Sequence, residues 1–266
     1  MQASPNPDWT FWQWVAYFIF NKYPEFLKGA GVTLLISITG TIIGFLIGLA
    51  IGVIRTIPER HTDPKIKIVF LRITKFILQA YIDIFRGTPM IVQAMVIYYG
   101  VASLFHVSME RIAAGILIVS VNTGAYMAEI VRGGIESVDR GQFEAAHTIG
   151  IRHGQTMRHI ILPQAIRNIL PTIGNEFVIN IKDTSVLSVI SVTELFFASR
   201  SIAGTYMAYF ETMIITCAIY FVLTFTVTSI LRRIEKKLDG PSSYTIFGSS
   251  SAPENVIKVK EAEPFD

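Results

Sequence analysis

A chain of 266 residues that is 51% hydrophobic, 16% charged and of mean hydropathy +0.48 falls outside the soluble class, whose domains average about 25% charged. Its net charge of +3, with basic residues set beside apolar runs, suits membrane topology and speaks against nucleic-acid binding. The single cysteine, Cys217, excludes an internal disulfide and says nothing about redox compartment.

In chain order, the N-terminus lacks the basic region of a secretory signal, so no cleaved leader is expected. Residues 1–29 read as an interfacial segment, because Trp9 to Phe20 is aromatic but too short to span. Val32 to Ile54 is 23 residues without a charge, enough to cross a ~30 Å hydrocarbon core at about 1.5 Å per residue. Met213 to Leu231 is equally clean and is bounded by Arg232, Arg233, Lys236 and Lys237. Between them lie three weaker candidates, near 76–104, 112–134 and 169–196, each with internal charges or glycines of the kind found in broken helices. The expected spans are therefore about 31–55, 76–104, 112–134, 169–196 and 207–231, within a membrane domain over 30–238. Residues 239–266 are Gly/Ser/Pro/Glu-rich and read as a disordered tail.

Loop charges orient the spans. Six Lys/Arg fall between Arg55 and Lys75, four (Arg140, Arg152, Arg158, Arg167) in 136–168 and six after Leu231. The connections near 105–111 and 198–206 carry one each, Arg111 and Arg200. Only an odd number of spans puts the three rich regions on one side, which the positive-inside rule makes cytoplasmic. The expectation is an all-α integral membrane protein of about five transmembrane helices, N-terminus outside and C-terminus cytoplasmic, with a short cytoplasmic helix between spans three and four.

Ionisable groups at bilayer depth cost at least about 2.5–3.5 kcal/mol each, so their positions carry information. Thr88 lies 13 residues from Lys75, or ~20 Å along a helix. Asp183 lies 14 residues beyond Ile169, ~21 Å by the same rise, and Asn122 lies ~15 Å in from Ile112. Three spans thus bring polar groups to one depth, with Glu129 nearer the cytoplasm. Gly87 before Thr88 and Pro89 suits a helix interruption with free backbone groups. The expectation is that Asp183 takes the α-ammonium of an amino acid and that the Gly87 and Thr88 backbone and hydroxyl groups take its carboxylate. Gln93 and Asn122 either read the remainder or bond to each other between helices. Glu129 either contacts substrate or pairs with Arg132, and Arg86 either joins the site or neutralises Asp83. Gly40, Gly44, Gly48 and Gly52 form a stripe for close helix packing, against the second or fifth span or against a second chain.

The stretch from Glu144 to Pro163 is a polar island in this apolar chain, with Arg152, His153, Arg158 and His159. Ala145, Ala146, Ile149 and Ile151 make one side of a short helix, which either rests on the inner leaflet or docks a partner. Glu144-Ala145-Ala146, Gly150 and Ile160-x-Leu162-Pro163 resemble the EAA loop of ATP-binding-cassette importer permeases, with every consensus position filled. Arg86-Gly-Thr-Pro89 with Gln93, Gly124-Ala-Tyr-Met-Ala-Glu129 with Arg132-Gly, and Lys182-Asp-Thr-Ser185 look like the polar-amino-acid branch. The resemblance covers roughly 30–238; Val186 stands where leucine is expected, and the tail lies outside the pattern.

The resemblance implies that Glu144, Ala145, Ala146, Gly150, Leu162 and Pro163 belong to a coupling helix seated in an ATPase groove, with Gly150 at its turn. It further implies a dimer of separate ATPase chains, a second permease chain, an extracytoplasmic substrate-binding protein, and a place in a prokaryotic cytoplasmic membrane. The sequence holds no Gly-x-x-x-x-Gly-Lys-Ser/Thr, so no cofactor is expected in this chain, ATP and Mg being bound by the partner, and the chain is not expected to be an enzyme. The rivals are an ion-coupled secondary carrier, with Asp183 or Glu129 as the ion site, and a membrane scaffold.

Overall fold

The computed structural model describes residues 8–59 and 64–238, and among them there is no strand. The expected disordered tail, 239–266, lies outside the described residues.

An aromatic helix, α1 (Phe11–Asn21), is followed after Lys22 by the long α2 (Tyr23–Arg55). The chain then forms α3 (Lys65–Gly87), α4 (Met90–Phe105) and α5 (Arg111–Glu136). Next come α6 (Arg140–Thr148), α7 (His153–Thr156), a π-helical turn (Met157–Ile161) and α8 (Leu162–Asp183). A 3₁₀ turn (Thr184–Ile190), α9 (Leu195–Tyr206) and α10 (Tyr209–Leu238) complete the bundle. Three helices, α2, α5 and α10, are long and apolar enough to cross a membrane. A fourth candidate is the pair His153–Ile190 and Leu195–Tyr206, bent by 53°. The stretch near 76–104 is two helices, neither of them long and apolar enough alone.

The break between α3 and α4 follows from local chemistry. Proline disfavours helical backbone in the residue before it, and Thr88 is extended, at φ −124° and ψ 147°. Pro89, which has no N–H, then sits at the N-cap of α4.

α2 and α5 form the central pair, and the glycine stripe is their contact. A methyl group on Gly48 would lie 2.3 Å from Met127 Cβ and 2.7 Å from the Ala128 backbone nitrogen. At Gly40, Gly44 and Gly52 the nearest atoms would be Val119 Cγ1 at 2.5 Å, Thr123 Cβ at 2.8 Å and Val131 Cγ1 at 2.6 Å. The stripe therefore packs within the chain, but against the third expected span rather than the second or fifth. Small residues let two helix backbones approach where lipid supplies no hydrophobic drive.

α8 joins this pair through buried Asn180. Its Nδ2 donates to Thr41 Oγ1 at 2.8 Å, and its Oδ1 accepts from Thr123 Oγ1 at 3.1 Å. One amide thus ties α2, α5 and α8, each such bond adding on average about 0.6 kcal/mol in a bilayer. At one end of the bundle a second joint forms around Glu194, which is fully buried. Its carboxylate caps α9 by accepting from the Phe196 and Phe197 N–H groups at 2.8 and 2.6 Å, and it accepts from Tyr220 at 3.0 Å.

Two expected boundaries shift. α2 begins at Tyr23, so the divide near residue 30 falls inside a helix. α1 presents Trp14 and Phe18 to a core with Phe26, Leu195 and Ile215, while Trp12 and Phe20 face outward. The helix expected from 169 begins at His153 and runs unbroken to Asp183. Its charged N-terminal turns conceal an amphipathic continuation in which Met157, Ile161, Ala165 and Ile169 pack on Val131 and Ile135 of α5.

Candidate functional site: a broken helix and a docking segment

Gly87, Thr88, Gln93 and Asn122 come together at the α3–α4 break. Gln93 is buried and folds back across the interruption. Its Nε2 lies 2.9 Å from each of the Phe85 carbonyl, the Thr88 carbonyl and the Thr88 hydroxyl. Its Oε1 accepts from Asn122 Nδ2 of α5 at 2.8 Å. The Thr88 hydroxyl itself donates to the Ile84 carbonyl at 2.8 Å. These groups thus satisfy one another and hold the break open. The Thr88 hydroxyl, expected to take a carboxylate, is already engaged on both sides, whereas the exposed backbone of Gly87 and Thr88 remains at the surface. Tyr81 fixes α3 beside this point by donating to the Val121 carbonyl at 2.5 Å.

Asp183 stands at the end of α8 on the exposed surface and does not bond to this cluster. Its charged neighbours are Lys182 and Glu176, and Glu176 also lies within electrostatic reach of Arg86. Arg86 is not paired with Asp83: its guanidinium lies over the Tyr126 ring, 5.6 Å from the centroid. Asp83 instead accepts from Gln79 at 2.7 Å. Glu176 escaped the sequence reading, although its spacing of seven from Asp183 puts both on one helical face. Asn180 was overlooked in the same run.

Both carboxylate oxygens of Glu129 are engaged by arginines. One of its oxygens accepts from Arg55 of α2, and the other from Arg132 at 2.9 Å. The Arg132 pairing was one of two sequence expectations; the Arg55 contact joins residues too distant in the chain to be foreseen.

Glu144, Ala145 and Ala146 lie on α6, which Asp139 caps by accepting from the Gly141 N–H at 2.6 Å. Ala146 is buried against the bundle, whereas Glu144 and Ala145 are exposed and Ile149 is 74% exposed. The expected apolar side is therefore divided, with Ala146 turned inward and Ile149 outward. Gly150 has φ +78°, a left-handed conformation that reverses the chain between α6 and α7. Leu162 and Pro163 lie in the first turn of α8, directly after the π-helical turn, so Pro163 sits within the helical run from His153 to Asp183 instead of closing the segment. Between α6 and the ends of α2 and α5 is a cleft of about 510 Å³ lined by Arg55, Glu136, Arg140, Phe143, Glu144 and His147, among others.

The described residues thus form an all-helical bundle with several apolar spans, a pinned helix break and an exposed turn-linked segment. A family model described as the binding-protein-dependent transport system inner membrane component matches residues 66–240, and this chain belongs to that family. It is 33% identical over 217 residues to the arginine transport system permease protein ArtQ of Bacillus subtilis, covering 82% of this chain and 94% of that protein. It is 35% identical over 222 residues to the glutamine transport system permease protein GlnP of Escherichia coli K12, covering 83% and 95%. A solved amino acid ABC transporter with histidines is similar at 37% identity and TM-score 0.72, over 86% of this chain and 99% of that one. The fold is also that of the inward-facing MetNI methionine ABC transporter, at 19% identity and TM-score 0.64, over 80% and 95% of the two chains.

Proposed function

We propose that this chain is the membrane-spanning permease subunit of an ATP-driven importer that carries a polar amino acid across the cytoplasmic membrane of a prokaryote. The observation that carries this reading is the docking segment: Glu144, Ala145 and Ile149 face outward beside a left-handed Gly150, at the root of the helix that bears Asp183. Two ATPase chains, which bind ATP and Mg, seat this segment and drive it; a substrate-binding protein delivers from outside, and a second permease chain, identical or related, completes the path. In this reading the chain has five spans, span two being assembled from α3 and α4, and the segment and the C-terminus lie in the cytoplasm. In domain terms, the chain is an aromatic N-terminal segment, a permease domain to 238 and a cytoplasmic tail.

Within the membrane, Asp183 receives the α-ammonium, with Glu176 beside it. The exposed backbone at Gly87 and Thr88, with Arg86 next to it, receives the carboxylate. Gln93 and Asn122 set the break in which these groups are presented. The carboxylates of Glu176 and Asp183 balance the cations of Arg86 and Lys182, which suits a zwitterion. ATP-driven closure shifts access because it favours one arrangement of α8 over another; docking alone shifts nothing.

The ion-coupled carrier has less to stand on, since both Glu129 oxygens are taken by arginines. Reconstitution separates the two readings: uptake by this chain alone under an ion gradient supports the carrier, and uptake that requires ATP, the ATPase and the binding protein supports the importer. In the reconstituted complex, Gly150→Val forces a β-branched residue into left-handed backbone, at a cost of about 1–2 kcal/mol, and import is expected to fall roughly 5–30-fold. Import at the wild-type rate in that variant would remove the docking role of the turn.

A further inference from the structure

A chain of polar contacts runs from the docking cleft to the broken helix, and neither the substrate layer nor the docking segment accounts for it. It begins at Glu136, near the end of α5, which accepts from Arg132 Nη1 at 2.6 Å. Arg132 also donates through Nε and Nη2 to Glu129 Oε2, at 3.2 and 2.9 Å. Glu129 Oε1 accepts from Nη1 of Arg55 at the end of α2, and Nη2 of Arg55 donates to Gln79 Oε1 on α3. Gln79 Nε2 then donates to Asp83 at 2.7 Å. Asp83 is one helical turn before Gly87, ~5.4 Å along the axis.

One guanidinium therefore joins three helices, with both terminal nitrogens committed. The Arg55 and Glu129 side chains are only 15% and 20% exposed, so this pair is less screened than an ordinary surface bridge. Arg55 and Glu136 also line the cleft that Glu144 enters from α6. Glu144 takes part in no ion pair among the described residues. The cleft thus offers Arg55 a second carboxylate, on the element that an ATPase would move.

We propose that Arg55 is the positioning residue that couples the docking segment to the broken helix. In the arrangement seen here it clamps α3 to α5 through Gln79 and Glu129. Inward movement of α6 brings Glu144 into competition for the guanidinium, which loosens α3 at Gln79, about two turns (~12 Å) before the Gly87–Thr88 backbone. The structure shows the first contact, and the cleft lined by both Arg55 and Glu144 leaves room for the second that a switch of this kind requires.

This inference rests on the importer reading and is tested in the complete complex of permease, ATPase and binding protein in proteoliposomes. The measured quantities are substrate imported per ATP hydrolysed and the stimulation of ATPase by loaded binding protein. Arg55→Lys keeps the charge but lacks the fork that holds two partners at once. Gln79→Leu removes only the α3 branch. Both variants are expected to hydrolyse ATP with less dependence on loaded binding protein and to import roughly fivefold less per ATP, or lower still, as site-to-site couplings typically give. Assembled variants with the wild-type ratio overturn the proposal. Where Arg55→Lys does not assemble, Gln79→Leu decides, and failure of both to assemble assigns the network to structure alone and equally overturns it. Absence of ATP-dependent import by the wild-type complex is a different result and removes the importer reading itself.

Discussion

Replacing Gly48 by alanine is expected to destabilise the bundle, although the same change at Gly31 is expected to be neutral or stabilising. In a helix interior, alanine is favoured over glycine by about 0.8–1.0 kcal/mol, so propensity alone predicts a gain at both positions. At Gly31 nothing lies within 4 Å of the added methyl group. At Gly48 the methyl would come within 2.3 Å of Met127 Cβ and 2.7 Å of backbone at Ala128. Helix backbone cannot give way as the tip of a flexible side chain can, so α2 and α5 must separate. Overpacking of this kind costs typically about 1–3 kcal/mol, and the separation also strains the Asn180 bonds to Thr41 and Thr123. Thermal unfolding of the two variants in detergent checks this: a Gly48→Ala midpoint at or above wild type would show that the α2–α5 contact is looser than described here.

Replacing Asp183 by asparagine is expected to abolish concentrative import while leaving a folded, membrane-inserted chain. The substitution keeps size and removes charge, and Asp183 holds no other helix in place, since α8 is anchored by Asn180. Loss of one partner from a desolvated charge pair costs about 2–5 kcal/mol, so uptake should fall ~30-fold or further. Glu176→Gln, one face-repeat away on α8, is expected to reduce uptake less. Uptake assays on both variants with saturating binding protein separate these outcomes. Wild-type uptake by Asp183→Asn would exclude it as the ammonium site, and a larger loss at Glu176 would move that site two turns along α8.

The helices that a single run of sequence defines were legible: α2 and α10 each hold a long uncharged run, Val32 to Ile54 and Met213 to Leu231, and Gly87-Thr88-Pro89 announces its own interruption. The exposed Glu144–Gly150 segment stood out for a different reason, since its polar residues and its glycine lie between apolar runs. What sequence reading could not reach are contacts made across the fold. Arg55 and Glu129 are separate helix ends until α2 and α5 pack, and the glycine stripe shows that α2 has a close partner without saying which. The start of α8 was hidden because Arg158 and His159 look like loop residues, although they occupy the outer face of a helix whose inner face is apolar. Glu194 drew no notice in the sequence, and its role at the start of α9 emerges only once the Phe196 and Phe197 N–H groups are seen to bond its buried carboxylate.

The unbroken run from His153 to Asp183 also has mechanical proportions. Pro171 removes one backbone hydrogen bond within it, and a run that pivots there would have unequal arms. From Pro171 the arm toward His153 is ~27 Å and the arm toward Asp183 ~18 Å, at the usual rise per residue. A lever with those arms trades distance for force: a ~3 Å push at the root becomes ~2 Å at the carboxylate, delivered with about half again the force. On the proposed reading, in which the root is pushed and Asp183 holds the ammonium, such gearing favours prising a bound ion pair apart over sweeping a cargo across the membrane.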